Sequence, residues 1–340
     1  MSFKRFDQED IVVSAESITS PVWTGDTVTL TGFYTSSTQV GGNSGDYYYD
    51  IYQTGSALTG ARVQFSVAYA DKKGSGSLLF NENVPGKSPS SAIYGQYRSL
   101  VLGDEDSDFT FGGVTSEHFY VVNIDRARYK EKLLPGTTDI VLGLSGSSNR
   151  LRLTDNSLAT STVTYTDSGR VYDLVSGSLG TVYDTLQSDG YTVGSGSYGK
   201  LLPDIGVILL NGKALDGNLE DGGLAIGTNR ANNTAGGNIR LMYNYLRDGA
   251  NLRVQSEETI SSNFVFVRAR NSEFNYSTNP SLITGSGELR YNVLINTPQS
   301  YITTVGLYND NNDLLAVAKL SRPLLKDFTK ESLIRIKLDY

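Results

Sequence analysis

Alternation of apolar and polar positions runs through the chain and is cleanest near its end. Ile334, Ile336, Leu338 and Tyr340 fall on one face and Arg335, Lys337 and Asp339 on the other, the period-two signature of a half-buried β-strand. Just upstream, residues 301–320 (YITTVGLYNDNNDLLAVAKL) place two apolar runs, 301–308 and 314–320, around Asn309 to Asp313, five residues that are all Asn or Asp. Such residues tolerate left-handed backbone and bond their own main chain, so the pattern predicts a β-hairpin with a longer loop, followed by a closing strand. A chain that ends inside a patterned strand is expected to pair that strand in its sheet or offer it as an edge to another chain.

Shorter versions of the pattern recur upstream. Residues 62–70 set Val63, Phe65, Val67 and Tyr69 against Arg62, Gln64, Ser66 and Ala68. Apolar runs of strand length lie at 11–14, 27–35, 47–52, 119–124, 140–144, 163–165, 171–175, 206–210 and 264–270, separated by turn clusters such as Gly41 to Gly45. Residues 125–134 (DRARYKEKLL) stop at Pro135-Gly136 and fit either a short exposed helix or a strand with a charged outer face. One stretch has a clear helical period: Ile239, Met242, Tyr243 and Leu246 at i, i+3, i+4 and i+7, starting after Gly236-Gly237-Asn238 and stopping near Gly249. That stripe is expected to face the core rather than a ligand.

These elements predict a mainly β protein with minor α, built from several sandwich-like antiparallel sheet modules and closed by a hairpin plus a final strand. The expected modules are 1–153, a Gly/Ser-rich middle at 154–260 carrying the one clear helix, and 261–340, with polar residues 250–263 as the passage into the last. No fixed-period repeat or heptad pattern supports a solenoid or a coiled coil.

Composition narrows the chemistry. The 340 residues include 36 Gly and 22 Tyr, which suits a turn-rich β protein. Lys+Arg number 29 against 36 Asp+Glu, a net charge of −7, which argues against a nucleic-acid partner because phosphate contacts need a basic surface. There is no cysteine and one histidine, His118, so disulfides, thiolate chemistry and multi-histidine metal sites are excluded. The opening MSFKRFDQEDIVVS has no apolar core of a signal peptide, and no apolar run reaches spanning length, so the expectation is a protein made in the cytoplasm with no membrane partner.

Five constellations could carry chemistry. Gly194-Ser195-Gly196-Ser197-Tyr198-Gly199 matches G-x-G-x-x-G with Asp216 near the ribose-binding distance, but Pro203 and an extended-looking run follow where a helix must open, so no cofactor is expected. Asp104-Glu105-Asp106-Ser107-Asp108 could hold a hard cation; like Asn309 to Asp313, it lacks the Gly and Glu of an EF-hand loop and reads as a solvated loop. His118, beside Ser116 and Glu117, lacks a nucleophile-elbow motif and reads as structural, so no catalytic residue is assigned. Two R-x-R pairs, Arg126/Arg128 and Arg268/Arg270, would each point to one face of a strand and could meet carboxylates on a partner. Trp23 and the cluster Tyr47 to Tyr49 could stack on sugar rings.

The stretch from Arg268 to Asp327, with FNYSTNP at Phe274 to Pro280 and TTVGLYNDNNDLLAVAKLS at Thr303 to Ser321, resembles a C-terminal module of structural proteins of T4-like contractile-tailed phages of the type that infects cyanobacteria. The opening FKRFDQEDIVVSAESITSPVW, to Trp23, resembles virion proteins of such phages. The resemblance spans most of the chain without a catalytic motif. It implies a structural virion protein of the tail or baseplate, assembled in the host cytoplasm and acting by protein–protein contacts in multiple symmetric copies, with other tail, baseplate or neck proteins as partners. The alternative is a carbohydrate-binding or carbohydrate-degrading tail protein. The closing strand, with Arg335 and Lys337 outward, and the Asn309 to Asp313 loop are the expected assembly surface.

Overall fold

The structure is a computed structural model that describes residues 4–36, 47–81, 83–84, 87–183, 197–219, 222–231 and 236–339. It is mainly β, with 43% strand, 14% helix and antiparallel sheets throughout. The chain forms two compact units, residues 18–258 and, from both ends of the sequence together, 1–17 with 259–340. The expected division near residue 153 falls inside the strand Arg150–Asp155, and the one near 260 falls inside the strand Gln255–Ala269.

The larger unit is organised by one extensive antiparallel sheet. Its centre runs Asp139–Gly143, Arg150–Asp155, Gly169–Ser178, Gly199–Leu202, Val207–Asn211, His118–Ile124, Val63–Asp71 and Tyr48–Tyr52, each hydrogen-bonded to the next. The helix Gly237–Gly249 packs against Asp139–Gly143 near one end of this order and against Val63–Asp71 and Tyr48–Tyr52 near the other. A single helix can touch both ends only if the sheet curls around it, which gives a half-barrel. The period-3.6 stripe drives the packing: Ile239, Met242 and Leu246 are buried in the larger core, with Tyr243 partly buried against it. Gly249 lets the last helical turn rest on the sheet, since a Cβ there would overlap the Val141 carbonyl.

The other face of the sheet is covered by a helix that the sequence reading missed, Pro89–Leu102. Its stripe of Ile93, Tyr94, Tyr97 and Val101 has helical spacing, but three serines and Gly95 interrupt the segment and the sequence reading passed over it. The local signals are present nonetheless, with Ser88 at the N-cap, Pro89 at the first helical position and Gly103 at the C-terminus. Tyr94 packs edge-on against Phe109 (5.6 Å) and tilted against Phe119 (5.3 Å), forming a second, aromatic core. Strands Val63–Asp71 and His118–Ile124 are therefore buried on both faces. The charged run 125–134 splits into the 3-10 turn Arg126–Arg128 and the short strand Lys132–Leu133, so both readings hold in part.

In the smaller unit, the long strand Gln255–Ala269 lies between Ile11–Pro21 and the closing strand Ser332–Asp339. Residues 255–263, expected to be a polar passage, are strand. Val265 pairs with Ile336 and Val267 with Ile334. Their shared face packs on the inward side chains of the hairpin Gln299–Tyr308 and Leu314–Asp327, chiefly Ile302, Val305, Leu307 and Leu324. The result is a two-layer sandwich with small Ala316 and Ala318 on the hairpin's inner side. The alternation expected of the closing strand is present over 334–339, with Ile334 and Ile336 buried and Arg335 and Lys337 exposed; Tyr340 lies outside the described residues.

Candidate functional site

The polar centre of the larger unit gathers residues from distant parts of the chain. His118 begins a central strand and is buried, and its Nε2 lies 3.0 Å from Asp216 Oδ2. The other carboxylate oxygen accepts Thr228 N–H (2.8 Å) and Oγ1 (2.7 Å), and Thr228 Oγ1 shares a hydrogen bond of 2.8 Å with Tyr120. Burial alone would raise the Asp216 pKa, but the His118 and Thr228 hydrogen bonds outweigh it and hold the carboxyl below its ordinary value. A Cβ at Gly212 would collide with the His118 imidazole, so glycine there lets the ring lie over the turn that leads to Asp216.

Beside this pair, Arg230 bridges two acids, with Nε 2.8 Å from Asp71 Oδ2 and Nη2 3.0 Å from Glu117 Oε2. Asp71 is fully buried and its second oxygen accepts Lys73 N–H and Ser75 N–H. The Arg230 hydrogen bond is the main cause of the lowered Glu117 pKa. These groups fasten residues 228–230 to the ends of the central strands Val63–Asp71 and His118–Ile124. Ser116 Oγ donates to the His118 main-chain carbonyl, so the serine beside the histidine is bonded to backbone rather than to the imidazole.

The remaining sequence candidates disperse. Gly194 to Gly196 lie outside the described residues, while Gly199 opens the strand Gly199–Leu202 and Asp216 is committed to His118 and Thr228, so the glycine pattern lacks its helix. Asp104 accepts Asp106 N–H and Ser107 Oγ within its own turn, and Asp108 pairs with Lys72. Among the described residues no three His, Asp or Glu side chains converge to hold a metal. Arg126 and Arg128 sit on a 3-10 turn, not a strand: Arg126 donates to the Tyr129 and Lys130 carbonyls and stacks on Tyr129, and Arg128 donates to Thr24 Oγ1. Arg268 is an exposed strand residue, and Arg270 lies just beyond the strand. Trp23 is only 2% exposed, donates to the Val28 carbonyl and packs on Phe65, so its ring is not open to a sugar; in the cluster Tyr47 to Tyr49, Tyr49 is buried, Tyr47 half-buried and Tyr48 exposed.

The smaller unit has the opposite character. Among the described residues, four exposed large apolar side chains lie in 1–17 and eleven in 259–340, against twelve in all of 18–258. The smaller unit carries eleven Lys+Arg and eleven Asp+Glu and is neutral, so the whole net charge of −7 resides in the larger one. A neutral body with exposed apolar surface favours association.

The densest part of that surface is the outward face of the hairpin. Leu315 is 68% exposed, Val317 58% and Tyr301 62%. A Cβ at Gly306 would meet the Tyr308 ring and Leu314, which places that ring over the glycine and beside Leu314 on the same face. Sequence reading took 314–320 as one apolar run and did not separate its faces. The signal was there: with Ala316 and Ala318 inward, the larger Leu315 and Val317 must point out. The expected loop surface is occupied, since Asn309 Oδ1 accepts Asn311 N–H and Asp313 N–H, and its amide donates to Asp313 Oδ2. On the closing strand, Lys337 pairs with Glu16 and Asp339, and Arg335 stacks on Phe264. No protein family, curated protein or solved structure matches the chain.

Proposed function

We propose that this chain is a structural subunit of a tailed-phage virion, of the tail or baseplate, which works by binding neighbouring proteins through its smaller unit. The observation that carries the reading is the concentration of exposed apolar side chains on a neutral sandwich. Water-exposed apolar faces of this kind are stabilised when a partner covers them. The sequence resemblance supplies the setting, and the larger unit supplies a compact body in which Asp71 is held by Arg230 and Asp216 by His118.

The test is direct. Antiserum against the purified chain should decorate the tail or baseplate of intact particles in electron micrographs, and particle mass spectrometry should detect the protein. A protein abundant in infected cells and absent from purified particles overturns the proposal.

A further inference from the structure

Of the surfaces in the smaller unit, the outward hairpin face has a charge layout that specifies a partner. Its tip carries Asp310, exposed beside the likewise acidic Asp313; then come the apolar Tyr308, Leu314, Leu315 and Val317; then Lys319, opposite Thr304 on the same outward side, with exposed Arg322 in the irregular stretch beyond. From the tip to the irregular stretch the face is thus acidic, then apolar, then basic, with Tyr301 beyond. Two such faces laid antiparallel across a two-fold axis near Leu315, midway between Asp310 and Lys319 along the hairpin, bring each acidic tip against the other's Lys319 and cover both apolar centres. Self-complementarity of this kind is what an isologous contact requires.

We infer that a second copy of this chain docks on this face, hairpin against hairpin, with a two-fold axis near Leu315. The inference rests on the assembly role proposed above and names the partner. Its strength follows from size. Two strands of about ten residues offer a flat face of about 33 Å by 10 Å, on the order of 300 Å² per copy, below the roughly 800 Å² per partner of standard interfaces. The pair is therefore weak in isolation and depends on repetition within an assembly for lasting contact.

Sedimentation equilibrium of the full chain tests it. The average mass should rise from 36.9 kDa toward twice that value between about 10 µM and 1 mM, the affinity range that suits so small an interface. Leu315→Glu with Val317→Glu should hold the protein monomeric throughout. Asp310→Lys and Lys319→Glu should each weaken association about tenfold, and the two together should restore it to within about twofold, since each then faces an opposite charge across the axis. The two positions lie about 20 Å apart along one hairpin, well beyond screening distance, so the rescue must act between copies. All four positions are exposed, and unchanged denaturation midpoints will show that the monomer fold is intact. A constant monomer mass up to 1 mM, association that ignores the glutamate pair, or a double charge swap no better than its parts overturns the inference. If such a protein is still found in particles, only the self-pairing fails and the virion role stands.

Discussion

Truncating one residue on each side of the hairpin sandwich gives the sharpest check on which face is core. Ile336 is 5% exposed and lies among Val265, Leu307 and Ile334. Ile336→Ala removes three carbon groups, about 2.4 kcal/mol of transfer free energy at ~0.8 kcal/mol each, and the cavity left behind brings the loss to about 3–4 kcal/mol. Val317 is already 58% exposed, so Val317→Ala forfeits less than half of the ~1.6 kcal/mol for two carbon groups, under about 1 kcal/mol. The two units need not unfold together, so the assay is amide hydrogen exchange resolved to peptides covering 299–308 and 332–339 in the full chain. Ile336→Ala should accelerate exchange there by about two orders of magnitude or more and Val317→Ala by fivefold at most. Equal effects, or a larger one from Val317→Ala, would mean that the hairpin buries its other face, and the exposed apolar surface would be misassigned.

Three further outcomes are expected. Lys326 is fully buried and its Nζ donates to the Asn271 carbonyl, Asn275 Oδ1 and the Asp327 carbonyl; Lys326→Met strands Asn275 Oδ1, since the Asn271 carbonyl keeps the Asn275 amide and the Asp327 carbonyl keeps Lys330 N–H, and should cost about 1–3 kcal/mol, seen as faster exchange over residues 271–298, and unchanged exchange would show the lysine to be idle. The lowered Asp216 pKa means that its contribution to stability is present above the ordinary carboxylate range and lost as pH falls through the folded value; Asp216→Asn should therefore flatten the acid limb of stability below about pH 4, and an identical acid limb would refute the linkage. Ala250 closes the helix Gly237–Gly249 in left-handed backbone, φ 55°; Ala250→Gly should stabilise the larger unit by up to about 1 kcal/mol, and a lowered unfolding midpoint would contradict that.

Most sheet elements were legible because period-two alternation reports burial locally, as at Val63 to Tyr69 and Ile334 to Leu338. The helix Gly237–Gly249 was legible because its stripe packs into the curl of the sheet with a clear helical spacing. Pro89–Leu102 was missed although Tyr94, Tyr97 and Val101 fall at i, i+3 and i+7, because three serines and Gly95 dilute the stripe in so short a segment. Long-range assembly was also hidden: nothing local tells that residues 1–17 join 259–340, or that Asp216 meets His118. The proposed interaction surface was half legible. The final eighty residues drew attention through their pattern, but the expectation centred on the polar loop and the closing strand, whose polar groups are largely bonded within the chain, while residues 314–317 were read only as part of an apolar run, with no outer face separated.

The central claim is that the smaller unit is covered by a partner in the assembled particle. Hydrogen exchange of the chain within purified particles, compared with the free protein, tests it most directly. The account predicts strong added protection across the hairpin Gln299–Tyr308 and Leu314–Asp327, with the buried strands His118–Ile124 and Val207–Asn211 unchanged. Equal exchange of the hairpin in the particle and in free solution would contradict it.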